Sequence, residues 1–557
     1  MYNFYNMQIK SIGGLEKNMK NKFSAAKNEI RNKSLYGKIH STISLLALTI
    51  FLIASSSFKV QAASQTIDEA RAIIKDNYVT PVSNSVLNAP TIEEIVKGLN
   101  DPYSQYFSKQ QEQDFLNGID NKMYGIGISV EMVTEGVKVK TVIDNSPALE
   151  SGIHEGDIII SANGKSLAGL KVEEATSHIK GETGTSVNLQ IKRADTMLSF
   201  SVMRREISLP TVTGKMLNNH TAYINIVSFG GDTSQLFSKE LQKLNMKNPD
   251  GYIIDLRNNG GGYMGTALEI AGNFIGSTPA IIVEDRQGNK VRYLAGEKEI
   301  TIDKPIIFLI NEYTASASEI LSAAVKDYKK AFFVGVTTYG KGVAQQMFPL
   351  SDGSALKITT EKFYSPLGNA IQKVGVTPDF EAKDIDSLAI AELFSGKCMN
   401  DVDKRGYVKV NYAEKDFEIN LNLAKDEKHW AAFKYILNKS SKDNVYVGTD
   451  KGWVKAPEDY FDNTYKFLYG NYKYLCTLKD VAQNKVFTIN FNKEVNIDTV
   501  KDYTNIEFID GETGQRVAFD VKKVDDKKIS LAPKENLKSG KTYYIKIKDV
   551  ISPVTVK

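Results

Sequence analysis

Pro305-Ile306-Ile307-Phe308-Leu309-Ile310-Asn311-Glu312-Tyr313-Thr314-Ala315-Ser316-Ala317-Ser318-Glu319-Ile320 is the stretch on which the reading of the fold turns. The apolar run Ile306 to Ile310 is too short for a helix and reads as a strand buried on both faces. From Ser316 to Lys329 the pattern becomes helical, and a strand that leads through a short turn into a helix is the repeating unit of an α/β sheet. The alternation continues on both sides. Thr221 to Val227, Gly251 to Asp255 and Ala331 to Val336 read as strands, Ser234 to Leu244 and Gly265 to Ile275 as helices. Residues 205–385 are therefore expected to form a sheet covered by helices.

The serines of the strand-to-helix turn have two readings. Ser316-Ala317-Ser318-Glu319 fits a capping box, with Ser316 as N-cap and Glu319 reaching back. A serine there is also close to N–H groups and a helix dipole that can stabilise developing negative charge. A second stretch, Thr338-Tyr339-Gly340-Lys341-Gly342-Val343-Ala344-Gln345, sets a lysine between glycines. That pattern suggests phosphate binding, but the GxxxxGK[ST] spacing is absent. Burial can instead lower a lysine's pKa until it serves as a general base toward a serine hydroxyl. Such a pair needs no histidine. The five histidines (His40, His154, His178, His220, His429) show neither HExxH nor two ligands on one helix face. Cys398 and Cys476 cannot build a four-ligand zinc site, although one bridge between them stays open. No metal and no cofactor is expected.

Between Met123 and Met203 short β-rich runs take over: Gly127 to Met132, Val137 to Val142, Asp157 to Ala162, Ser186 to Lys192 and Leu198 to Met203, interrupted by a helix from Val172 to Lys180. Within them, Ser146-Pro147-Ala148-Leu149-Glu150-Ser151-Gly152-Ile153-His154-Glu155-Gly156-Asp157-Ile158-Ile159-Ile160-Ser161-Ala162-Asn163-Gly164 resembles the central signature of a PDZ domain. Tyr124-Gly125-Ile126-Gly127-Ile128 is similar to the loop in which PDZ backbone N–H groups cradle a C-terminal carboxylate while the next strand pairs with the peptide.

Adding Asp101-Pro102-Tyr103-Ser104-Gln105-Tyr106-Phe107 and Asp255-Leu256-Arg257-Asn258-Asn259-Gly260-Gly261-Gly262, residues 66–385 resemble the carboxy-terminal processing (tail-specific) serine peptidases. The resemblance implies an α/β peptidase core of the crotonase/ClpP-like kind and a Ser/Lys dyad. Family spacing selects Ser316 as nucleophile over Ser318, with Lys341 as base and Gln345 hydrogen-bonding the lysine. It also implies an oxyanion hole from the N–H of Ala317 and of Gly261 or Gly262. Where many relatives have proline, this chain has Gly260. The expected partners are protein or peptide substrates with apolar C-termini, captured by the PDZ module and acylating Ser316. Lys180, near the end of the PDZ helix, reads as a solvated surface lysine or as a residue that senses the captured tail. The competing function is a non-catalytic envelope adaptor that binds protein C-termini.

Of the 557 residues, 42% are hydrophobic and 24% charged, as in ordinary multidomain globular proteins. Residues 1–40 hold eight Lys/Arg against two Glu, and Lys59 follows, so the net charge of +4 conceals a slightly acidic body from Ala63 onward. This excludes an electrostatic case for nucleic acid. The basic leader, the apolar run Ile43 to Ile53 and Val60-Gln61-Ala62 have the order of an export signal, or of an uncleaved membrane anchor, with the body outside the cytoplasm. Met19 offers an alternative start. The expected organisation is a leader or anchor (1–62), a helical region (63–118), the PDZ module (119–205), the peptidase core (206–390), an unassigned accessory region (391–475) and an all-β sandwich (476–557). The sandwich resembles Ig-like modules of bacterial surface proteins and suggests cell-envelope attachment. Homo-oligomer formation is left open. Trp430, Trp453 and the tyrosines from Tyr460 to Tyr474 read either as core packing or as a ligand platform.

Overall fold

The computed structural model describes residues 65–217, 219–494, 496 and 506–557, so the expected leader or anchor lies outside the described residues. No helix among the described residues is long and apolar enough to cross a membrane. The chain divides into two compact units, the first combining residues up to Asp76 with Pro81–Tyr106 and Met347–Leu356. In this unit Arg71 fastens a helix to the next turn, Nε donating to the Leu87 carbonyl at 2.8 Å and Nη2 to the Ala89 carbonyl at 3.1 Å. Asp101 folds the Asp-Pro break into a tight turn, accepting the Tyr103 N–H at 3.0 Å and the Ser104 hydroxyl at 2.6 Å.

The second unit begins with the PDZ-like module. Its elements are β1 (Lys122–Gly125), β2 (Ile128–Val133), β3 (Gly136–Val142), β4 (Ile158–Ala162), α1 (Val172–Ile179), β5 (Ser186–Arg193), β6 (Thr196–Met203) and β7 (Arg205–Ser208). Strands β2 to β6 form an antiparallel sheet in sequence order, while β1 pairs with β7. The alternation in β5 turns Val187, Leu189 and Ile191 onto a core shared with Ala175 and Ile179 of α1. Strand β2 therefore ends the sheet, with one backbone edge unpaired among the described residues.

The peptidase region follows as β8 (Val212–Met216), β9 (Thr221–Ile226), α2 (Thr233–Asn245), β10 (Gly251–Asp255), α3 (Met264–Ile275), β11 (Pro279–Glu284), β12 (Lys290–Leu294), β13 (Ile306–Ile310), α4 (Ala317–Asp327), β14 (Phe332–Gly335), β15 (Ala355–Tyr364), β16 (Phe380–Glu381) and α5 (Ser387–Phe394). The main sheet has the order β8-β9-β10-β13-β14-β16, parallel except for β8. Successive residues of β13 point to opposite faces and both faces are apolar: Ile306, Phe308 and Ile310 pack under α2, α3 and α4, Ile307 and Leu309 on the other side. The sequence pattern accounts for β9, β10, β13 and β14 of this sheet but not for β8 and β16, nor for the antiparallel ribbon of β15, β11 and β12 beside it. All five residues of β12 are exposed, although Val291 and Tyr293 alternate with Lys290 and Arg292.

The second face of the main sheet is covered by the region to which no family was assigned. Its elements are β17 (Tyr407–Tyr412), β18 (Lys415–Asn420), α6 (Glu427–Lys439), β19 (Val445–Thr449) and β20 (Gly452–Lys455). Together with α5 they bury Phe332, Val334 and Phe380 under Leu393, Phe417, Phe433 and their neighbours. Trp430 is 2% exposed and its Nε1 donates to the Gly511 carbonyl at 3.2 Å, so it packs the join to the C-terminal module rather than offering a platform. That module has two sheets around one core of Phe487, Phe508, Leu531, Tyr543 and Val554. Cys398, buried, and Cys476, exposed, are both free thiols.

Candidate active site

Ser316 sits between β13 and α4 with φ 58° and ψ −116°, a left-handed conformation that a non-glycine residue adopts at a cost of about 1–3 kcal/mol. The surrounding turns hold it there. The Thr314 hydroxyl donates to the Leu256 carbonyl at 2.8 Å and accepts the Asn311 N–H at 3.0 Å. Asn311 Oδ1 accepts the Asn258 N–H at 2.9 Å, and the Ala315 N–H donates to the Asn259 carbonyl at 3.0 Å. The turn carrying Ser316 is thus stitched to the turn that follows β10. Ser318, 0% exposed, spends its hydroxyl on the Asn259 carbonyl at 2.9 Å. The two serines have opposite employments: Ser318 holds the turn together, and Ser316 occupies its strained tip.

Glu319, also 0% exposed, does more than the capping pattern implied. Its Oε2 accepts the Ser316 N–H at 2.9 Å, as a capping box requires, and the Lys341 N–H at 2.8 Å. Oε1 accepts the Thr338 hydroxyl at 2.5 Å and the Gly340 N–H at 2.7 Å. One carboxylate therefore clamps the backbones of both residues that the sequence singled out for chemistry. The Glu319 N–H donates to the Ser316 carbonyl at 2.8 Å, so this donor is not orphaned if the Ser316 hydroxyl engages a substrate. The lysine turn is held on its far side as well, with the Lys373 N–H donating to the Gly340 carbonyl at 2.8 Å and the Gly342 N–H to Gln372 Oε1 at 2.7 Å. Gln345 turns its Nε2 toward the Thr359 hydroxyl at 3.1 Å and the Val343 carbonyl at 3.3 Å, which leaves Oε1 as the atom able to accept from a lysine.

The glycine run lies directly against this elbow. Gly261 has φ 104°, and a β-carbon built on it would stand 2.8 Å from Ser316 Cβ and 3.0 Å from the Ala317 nitrogen. Only glycine allows that approach. The expected oxyanion donors separate here. The Gly261 N–H donates to Asn259 Oδ1 at 2.9 Å, whereas the N–H groups of Gly262 and Ala317 make no hydrogen bond to a described residue. At the root of the run Arg257 grips Asp255 through Nε and Nη2, the shortest contact being 2.6 Å. The Tyr223 hydroxyl donates to the same carboxylate at 2.8 Å, and burial, then the Asp255 charge, push its phenol far above the usual range.

In the PDZ-like module the signature explains the glycine loop. A β-carbon at Gly127, φ 82°, would lie 2.3 Å from Ser146 Cβ. The N–H groups of Ile126 and Gly127 make no hydrogen bond to a described residue. Tyr124 belongs to β1 and its hydroxyl donates to Glu206 Oε2 at 3.0 Å, so its side chain serves the β1–β7 ribbon; Gly125 pairs with Arg205 at the end of that ribbon, and the open loop begins at Ile126. Lys180 lies beside this loop, its Cγ 4.0 Å from the β-carbon position of Gly125. The base of the module is joined to the glycine run of the peptidase region. The Ser228 hydroxyl donates to the Ile119 carbonyl at 2.6 Å and the Gly231 N–H to Asp120 Oδ1 at 2.9 Å. Between them, the Phe229 N–H donates to the Gly261 carbonyl at 3.0 Å.

Comparison with known proteins returns a model of peptidase family S41 over residues 220–382, of a PDZ domain over 125–203 and of a bacterial Ig-like domain over 477–554. Two Bacillus subtilis relatives are named carboxy-terminal processing proteases. CtpB is 36% identical, over 59% of this chain and 70% of its own length, and CtpA 34% identical, over 65% and 80%. A carboxy-terminal-processing protease of Bartonella bacilliformis is 30% identical, over 60% of this chain and 78% of its own.

Proposed function

The chain belongs to the carboxy-terminal processing proteases and is a serine peptidase with a PDZ domain; from that premise we propose that Ser316 is its nucleophile and Lys341 its general base. The observation that carries this reading is the Glu319 carboxylate, which accepts the backbone N–H of both residues. Neutral Lys341 takes the hydroxyl proton as Ser316 Oγ attacks the scissile carbonyl, then returns it to the departing amine. The oxyanion is held by the N–H groups of Ala317 and Gly262, the first adding the positive end of the α4 dipole. Water activated by Lys341 then releases the acyl group. Gln345 Oε1 steadies the lysine.

Substrates are proteins or peptides. Their C-termini lie along β2, carboxylate toward Ile126 and Gly127, with an apolar last residue set against the partly buried Ile128. The leader-like N-terminus and the Ig-like module support an extracytoplasmic protein, anchored or attached at the envelope.

The test is digestion of β-casein by the purified protein and its Ser316→Ala and Lys341→Ala forms, with products read by mass spectrometry. Cleavage by the wild type alone is expected. Cleavage that survives Ser316→Ala assigns the nucleophile elsewhere.

A further inference from the structure

Two apolar side chains stand out of the turns that carry the reacting pair, and a third out of the turn packed against the second of them. Tyr313 is 62% exposed and precedes Ser316 by three residues; Tyr339 is 55% exposed and precedes Lys341 by two. Val374 is 56% exposed, and its backbone nitrogen lies 3.0 Å from the β-carbon position of Gly340. The two tyrosine turns are adjacent, the Tyr339 N–H donating to the Thr314 carbonyl at 3.0 Å. Neither tyrosine stacks on a described ring, and neither hydroxyl is bonded to a described residue. Their backbones are rigid all the same. Thr314 and Thr338, the residues beside them, are buried and hydrogen-bonded to neighbouring turns.

We infer that Tyr313, Tyr339 and Val374 form an apolar subsite that receives a substrate side chain next to the scissile bond and makes the enzyme select apolar residues there. The inference rests on the reading of Ser316 and Lys341 as the reacting pair. An aromatic side chain has only two rotatable bonds, so on a fixed turn it loses little entropy when covered. Its burial is then available for recognition. The occupant follows from position, since the rim is continuous with the turns of Ser316 and Lys341, and a polypeptide laid across the first must pass the second. Such selection also suits an enzyme of unfolded tails, because apolar side chains are accessible to a cleft mainly in unfolded chain.

The experiment first maps the bonds cleaved in β-casein by the wild type. It then compares kcat/KM for two peptides that share a tail and differ only by Leu or Ser beside one mapped bond. Wild type is expected to prefer Leu, and Tyr313→Ser or Tyr339→Ser to reduce the Leu-to-Ser ratio by about tenfold. Tyr→Phe at either site keeps the preference, because the ring and not the hydroxyl makes the contact. A ratio unchanged in both serine variants overturns the inference while leaving the Ser/Lys reading intact. It is equally overturned if the serine variants change the sedimentation of the protein and not its selectivity, since the rim would then be a self-association surface. Cleavage that persists in Ser316→Ala overturns the Ser/Lys reading itself and the subsite with it.

Discussion

The PDZ module and the peptidase core both use glycine to expose backbone N–H groups, but they surround them differently. Around Gly127 the neighbouring strand β2 has an edge that no described strand pairs with, the edge proposed above to receive the substrate tail. Around Gly261 and Gly262 almost every polar group is already committed: Asn259 bonds through its side-chain amide, its Oδ1 and its carbonyl, and Glu319 accepts four hydrogen bonds. The contrast follows from the tasks. Backbone pairing tolerates many tails, whereas bond cleavage requires one geometry, and a buried polar network fully satisfied is the rigid way to hold it.

The largest expected effect separates the two regions outright. Ser316→Ala lowers cleavage by about 10⁴-fold or more, with tail binding, read by fluorescence polarisation of a labelled peptide, unchanged. If binding falls as well, the regions are not independent. Next is Glu319→Gln, which replaces one acceptor oxygen by a donor facing N–H groups. It should reduce kcat by about 10²–10³, with a lower melting temperature and a smaller change in KM. A loss confined to KM would mean that Glu319 shapes binding instead of the reacting turn.

How much of this was legible follows from where the signals lie. Strands β10, β13 and β14 were readable as short runs dominated by apolar residues, β9 because Ala222, Ile224 and Ile226 alternate with Thr221, Tyr223 and Asn225, and Gly251–Asp255 was delimited to the residue. Ser316 and Lys341 were singled out by the family resemblance and its spacing, because the serine turn by itself reads equally as a helix cap; the structure holds both on turns bonded to Glu319. The clamp was not. Glu319 looked like an ordinary N3 residue, and its bonds to residues 338–341 join segments about twenty positions apart with no periodicity to betray them. The accessory region was silent for another reason. Val408 and Val410 do alternate along β17, but Leu393, Phe417 and Phe433 complete a core whose other half is the peptidase sheet, a partner that no pattern local to residues 391–475 names.

A smaller effect sharpens the PDZ side. Gly127→Ala places a methyl group against Ser146 and forces the loop from its left-handed φ. Tail affinity should fall by about tenfold or more, measured with the same labelled peptide, while a substrate lacking a free C-terminal carboxylate is cleaved at a rate closer to that of wild type. Equal losses for both substrates would show that the module is needed for the core's own geometry, as its junction through Ser228 and Gly231 permits.

The smallest effect concerns the charge that fixes the PDZ signature. Burial alone would raise the Asp157 carboxyl, but Arg193, with Nε at 2.7 Å, and the His154 N–H at 2.9 Å outweigh it and hold the group below its ordinary value. A carboxylate depressed on folding stabilises above its unfolded pKa of about 4 and loses that contribution as pH falls through its folded value. Asp157→Asn should therefore lower the melting temperature at pH 7, and the difference from wild type should shrink below about pH 4. Arg193 is about one-third exposed, 34% by side chain, so water screens the pair. The charge should then be worth no more than about 1 kcal/mol. The catalytic turns supply the control. Ser318→Ala removes a buried hydrogen bond that involves no ionisable group, so its destabilisation should be the same at both pH values; if it follows pH like Asp157→Asn, the acid effect is general unfolding and not the loss of this one charge.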